Sequence, residues 1–329
     1  MTYSVGGLIQ ATDYNNFVQN GANNINVIYG VGGTDKGYGQ SGTLATVSAA
    51  GVITATQWAG LVNVIPTMAS HQGTTITSRT APVAGGTIGI LSSVQTDIDA
   101  INNNRGNAVA SGSEITSFSG TTSKTSGTGS GTSAWTITFT HTVSFASADA
   151  ARYFWNAGGI VRLRVDKSST GTQADTEWND LAGTLMDEIR LVGRVNSTTQ
   201  TIAGVGYTGV NKTSGTGTPS IFASTTGWYN LTTGDTNIYR QNADTAPYTG
   251  QYINVAARTA GTGTQLVLTT TWVDPGGNFA SSDISGGSAT NSPFSGFGTA
   301  PATVVTVIPP SSTYLTATWG TPTIAAAVS

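Results

Sequence analysis

The chain is 329 residues long, 38% hydrophobic and only 9% charged, with 43 glycines, no cysteine and a formal net charge of −3. Disulfides and thiolate metal centres are excluded, and without clustered Lys or Arg no nucleic acid partner is expected. No apolar run is long enough for a membrane span, and the opening MTYSVGGLIQ has neither the basic nor the apolar region of a secretory signal.

After a strand-like YSVGGLIQ, the stretch ATDYNNFVQNGANNINVIYG places Tyr14, Phe17, Val18, Gly21, Ile25 and Ile28 at helical steps. That spacing predicts one helix, capped by Thr12 or Asp13 and ended by Gly30. A Gly-rich connector, GVGGTDKGYGQSGTLATVSAAGVIT, follows. TATQWAGLVNVIPTMASHQG predicts a second helix capped by Thr54 or Thr56, with a stripe of Trp58, Leu61, Val62, Ile65 and Met68; Pro66 bends or ends it. ILSSVQTDIDAINNNRG predicts a third, with Leu91, Val94, Ile98 and Ile101 in a narrow seam. A seam this short does not stand alone, so burial against neighbours or between subunits is expected. Residues 111–133 read as a Gly/Ser/Thr connector.

Beyond it the chain reads as β. AWTITFTHTVSFAS alternates, with Trp135, Ile137 and Phe139 on one face and His141 assigned to a polar face. ARYFWNAGGIVRL reads as a core hairpin that turns at Gly158 and Gly159, with Arg162 and Arg164 sharing an outward face. ADTEWNDLAGTLMDEIRLVG predicts a helix carrying Trp178, Leu181, Leu185 and Ile189. GTPSIFASTTGWYNLTTGDTNIYRQN gives a strand, a turn-strand at TTGWYNL and another strand. INVAAR and QLVLTTTW, joined by TAGTGT, form a hairpin, and GTAPATVVTVIPPSSTYLTATWG adds two closing strands. The fold class expected is α+β, mainly β: a helical attachment and oligomerisation region at 1–110, a connector at 111–133 and an antiparallel β-sandwich at 134–329.

Candidate chemistry is sparse. GVGGTDKG lacks the spacing of a phosphate loop, and GTGSG lies in the connector rather than on a nucleophile turn. His71 suits a helix C-terminus, and neither it nor His141 has a metal-ligand partner at short spacing. Asp166, Asp175, Glu177, Asp180, Asp187 and Glu188 form the densest acidic group, assigned mostly to a solvated helix face. No catalytic residue, metal or cofactor is expected. Trp228, Tyr229, Tyr248 and Tyr252 are either sugar-stacking rings or strand packing.

Several motifs carry a resemblance. They are the I-x-A-x-D-Y-N opening at Ile9 to Asn15, the G-Y-G-Q turn at Gly37 to Gln40, the I-T-A-x-Q-W helix start at Ile53 to Trp58, and the H-Q-G end at His71 to Gly73. ARYFWNAGG, with Trp155 where the related motif has Phe, completes the set. Over residues 7–73 and 135–165 the chain resembles virion structural proteins of tailed phages of cyanobacteria and marine bacteria. The resemblance implies a fibre, neck, baseplate or tail component of the virion, exposed outside the host after lysis, and supplies no catalytic residues. The expected assembly is a homotrimer joined to other virion proteins, with Tyr14, Phe17, Ile25, Ile28, Trp58, Leu61, Ile65, Leu91, Val94, Ile98 and Ile101 at the interface. Alternatives are a host-attachment adhesin that binds a surface glycan, a capsid-decorating protein, or a polysaccharide depolymerase.

Overall fold

Local capping divides the helical region into short pieces. In the computed structural model, which describes residues 9–86, 92–115, 122–123, 134–168, 173–276, 284–285, 288–289 and 300–329, the helices are α1 (Ala11–Asn15), α2 (Ile25–Tyr29), α3 (Ala55–Gln72), α4 (Ser92–Asn103), α5 (Ala148–Asn156) and α6 (Gln173–Asn179). The single helix expected at the N-terminus is instead two. Chain entry is at Gln10, whose N–H donates to Asp13 Oδ2 at 3.3 Å. A π-helical turn over Asn16–Asn20 continues α1 and stops at Gly21, and Asn24 recaps α2 by accepting from Val27 N at 3.0 Å. In α3, Thr54 and Gln57 form a reciprocal capping box, and Gly73 closes the helix in the left-handed conformation. Pro66 does not end α3, which runs on to Gln72.

Two asparagines organise the connector between α2 and α3. Asn15 and Asn26 each present both ends of the side-chain amide to one backbone residue. Asn15 pairs with Val47 and Asn26 with Leu44, and all four hydrogen bonds are 2.8 Å. Each amide stands in for a strand neighbour, so the connector needs no sheet.

The strands are β1 (Thr122–Ser123), β2 (Trp135–Ser144), β3 (Ile160–Asp166), β4 (Glu188–Val192), β5 (Gln200–Ile202), β6 (Val205–Tyr207), β7 (Val210–Lys212), β8 (Ile221–Phe222), β9 (Thr236–Asn242), β10 (Tyr252–Ala260), β11 (Gln265–Asp274), β12 (Ile284–Ser285), β13 (Ser288–Ala289), β14 (Ala302–Ile308) and β15 (Thr323–Val328). One antiparallel sheet runs β1-β14-β3-β4-β7 and the other β15-β2-β11-β10-β9-β8; β5-β6 and β12-β13 are separate two-stranded pairs. The fold is α+β, mainly β, with the short helices first and the antiparallel sheets after them.

The expected hairpin is present as β10 and β11, with Ala260 opposite Gln265. Odd-numbered residues of β2 all face inward, His141 included, so His141 leaves the polar face and sits buried against the Thr303 backbone of β14. ARYFW is not a strand. Ser147 caps α5 by accepting from Ala150 N at 3.0 Å, and the alanines around Asp149 favour the helix that follows. Gly158, at φ +91°, and Gly159 then turn the chain into β3. Ile189 belongs to β4 rather than to the preceding helix, because a π-helical turn over Asp180–Met186 ends at Asp187, where φ is +50°. TTGWYNL is a 3-10 turn at Trp228–Asn230. After β14 the last strand starts only at Thr323, so STYLTATWG is not one.

One core runs through both regions. Tyr14 and Phe17 each lie 6.1 Å from Trp58, while Trp155 stacks on Trp228 at 5.5 Å and Trp178 on Trp272 at 5.6 Å. All of these rings belong to a single buried cluster that extends from Ala11 to Ile324. The described residues of the two regions therefore share this core. The first residues of the supposed connector also lie along β14, with bridges from Ser111 to Pro310 and from Ile115 to Val307.

Candidate functional site

Three of the five recurring motifs, G-Y-G-Q, H-Q-G and A-R-Y-F-W-N-A-G-G, meet in one place. The turn Gly37-Tyr38-Gly39-Gln40 lies between α3, α4, α5 and the segment after β14. Both glycines have positive φ, +96° and +67°. A Cβ on Gly39 would lie 2.4 Å from the Tyr153 ring, so no larger residue fits against α5 there. Tyr38 is fully buried; its hydroxyl donates to the Arg105 carbonyl at 2.7 Å and accepts from Gln72 Nε2 at 2.6 Å. Burial pushes its phenol well above the usual range, which keeps the proton that makes the donated bond. Gln40 reaches the far end of the chain: Nε2 donates to the Thr316 carbonyl at 2.9 Å and Oε1 accepts from Thr316 N at 2.7 Å.

The H-Q-G and A-R-Y-F-W-N-A-G-G motifs complete this junction. His71 stacks edge-on to Tyr38, and its Nε2–H donates to the Ala157 carbonyl at 3.1 Å. The ring is buried rather than capping a helix end, and desolvation pushes its pKa down from 6.5 to about 4, against the opposing pull of that carbonyl. Asn156 donates to the Gly37 carbonyl at 2.9 Å and accepts from the Tyr229 hydroxyl at 2.7 Å. Arg152 donates to the Lys36 carbonyl at 2.6 Å. Beside them Arg105 pairs with Asp35 at 2.5 Å, and Asp35 also accepts from Asn196 N at 2.9 Å. Tyr38, Gln40, His71 and Asn156 each have protein partners, while the buried Trp155 Nε1 has none among the described residues, and the residues named here include no pair of acids. What it does is lock the helices to the sandwich.

A second cluster is of another kind. Glu177 on α6, Asp180 in the π-helical turn and Asp244 after β9 bring carboxylate oxygens within 4.8 Å of one another. Glu177 is only 4% exposed, Asp180 is half-buried and Asp244 is exposed. Glu177 is hydrogen-bonded to the Thr245 hydroxyl and backbone, and that hydroxyl also lies 3.2 Å from Asp244 Oδ1. Among the described residues Glu177 Oε1 has no hydrogen-bond partner, and none of the three acids forms an ion pair. Burial, and then the two neighbouring acids, hold the Glu177 carboxyl above its usual range. Asp175 and Glu177 thus leave the solvated face expected of them; Asp175 forms a buried ion pair with Lys167. Asp244 also borders an open cleft of about 350 Å³ that extends to Leu185.

No protein-family model, curated protein or solved structure matches the chain.

The residues expected at a subunit interface are placed differently. Tyr14, Phe17, Ile25, Ile28, Trp58, Leu61, Ile65, Val94, Ile98 and Ile101 are all buried within one chain, none more than 2% exposed, and have no surface left for a partner. Leu91 lies outside the described residues. Of the rings considered for sugar stacking, Trp228 is covered by Trp155 and Tyr248 is fully buried. Tyr229 is tied to Asn156, and Tyr252 carries the Arg240 guanidinium 4.2 Å above its ring. The four do not form an open platform. Arg162 and Arg164 do share an outer face, but Arg162 is held by Glu114 at 2.7 Å and Arg164 lies 3.7 Å from Asp187. The acid cluster escaped the sequence reading because Asp244 is remote in the chain and no local spacing ties it to Glu177.

Proposed function

We propose that the protein is a structural component of a tailed-phage virion, a homotrimer placed in the tail, neck or baseplate. The observation that supports this reading is the convergence of the resembling motifs. G-Y-G-Q, H-Q-G and A-R-Y-F-W-N-A-G-G make one buried junction linked by hydrogen bonds between remote segments. A signature spent on architecture fits a protein whose task is to hold shape. Low charge and abundant Gly and Thr fit the same role. In this reading the contacts between copies use surfaces outside the helical stripes, because those stripes are consumed within the chain. Peptide mass spectrometry of purified particles tests it: the protein is expected at a fixed copy number per virion, and its absence from particles overturns the reading. Light scattering of the purified chain is expected to give three times the monomer mass.

A further inference from the structure

We propose that Glu177, Asp180 and Asp244 form a binding site for a divalent cation of the calcium class. The donors are all oxygens, which suits a hard cation. Their oxygens lie within 4.8 Å of one another, no more than the span of two Ca–O bonds of about 2.4 Å placed on opposite sides of an ion. A buried carboxylate without a cation is costly, and Glu177 is 4% exposed with Oε1 unpartnered among the described residues. That oxygen belongs to a group whose two acidic neighbours add repulsion rather than relief. The Thr245 hydroxyl, 3.2 Å from Asp244 Oδ1, offers one more oxygen. Asp244 opens onto the cleft, so water has access to complete the six to eight ligands that calcium takes. Magnesium demands near-ideal octahedral geometry, which acids on a π-helical turn and a surface loop do not impose.

The ion would add a fastening between two parts of the sandwich. Glu177 and Asp180 stand where α6 passes into its π-helical turn, packed through Trp178 on the six-stranded sheet. Asp244 opens the loop that returns to β10, where Ala243 N donates to the Gln251 carbonyl at 2.9 Å. Binding would hold that loop against the core.

The test uses the full chain, stripped with chelator and then returned to about 1 mM calcium, the upper range for extracellular calcium modules. Calcium is expected to raise the unfolding midpoint by about 2 °C. Terbium luminescence, excited through Trp178, is expected to appear on titration and to fall when calcium is added. Asp244→Asn, at an exposed position that leaves the core intact, is expected to abolish both effects, whereas Asp166→Asn retains them. No shift in the parent chain, or an unchanged shift in D244N, overturns the site. An equal shift with magnesium at the same concentration overturns the calcium-class assignment.

Discussion

The junction around Tyr38 and the acid cluster around Glu177 are both buried polar groups, and they are finished in opposite ways. At the junction the Tyr38 hydroxyl, the His71 ring, the Asn156 amide and the Gln40 amide each have protein partners on other elements. At the acid cluster three carboxylates face one another with no protein cation among the described residues. Satisfied networks fix architecture, and unsatisfied charge marks a place where something else binds. The difference separates a residue that is present to hold the fold from one that is present to meet a ligand, although both are buried and polar.

Four perturbations sharpen this contrast, from the largest effect to the smallest. Gly39→Ala forces a Cβ into the Tyr153 ring at a positive φ. Unfolding experiments are expected to show a loss of about 3 kcal/mol or more. Acidification comes next. The unfolded chain protonates His71 near pH 6.5 and the folded chain only near 4, so its contribution is whole above pH 6.5 and is lost as pH falls through 4. That loss is of the order of 3 kcal/mol, and the slope of denaturation midpoint against pH is expected to flatten in His71→Gln. Tyr38→Phe leaves the Arg105 carbonyl and the Gln72 amide without their shared partner, at a cost of about 2 kcal/mol in chemical denaturation. Glu177→Gln has the opposite sign. In calcium-free solution it replaces a carboxylate that has no cation beside it with an amide able to donate to Asp180 and Asp244, and stability is expected to rise by about 1 kcal/mol. A loss on E177Q as large as that on Y38F would erase the distinction.

Local signals made much of the architecture readable. Thr54 and the apolar stripe from Trp58 point to α3, the alternation from Trp135 to β2, and the Gly-rich turn between Ala260 and Gln265 to the β10–β11 hairpin. Misreadings came where aromatic content outweighed capping. Tyr153, Phe154 and Trp155 suggest a strand by type, yet Ser147 and the alanines around Asp149 set a helix. The apolar spacing continues across Gly21 and so suggests one long helix, whereas Asn24 starts a second one. Stripes this short need a partner, and for the described stripe residues other parts of the same chain supply that cover. Neither cluster was visible in sequence because each joins remote segments: Gln40 meets Thr316 across 276 positions, and Glu177 meets Asp244 through tertiary folding alone.

The motif junction is expected to make the helical region and the sandwich one cooperative unit. Native-state hydrogen exchange in a denaturant series, followed by peptide mass analysis, measures this directly. Amides of α3 (Ala55–Gln72) and of β11 (Gln265–Asp274) are expected to open with the same free energy and the same denaturant dependence. Exchange of α3 through a separate, lower-energy opening while β11 stays protected would contradict the claim.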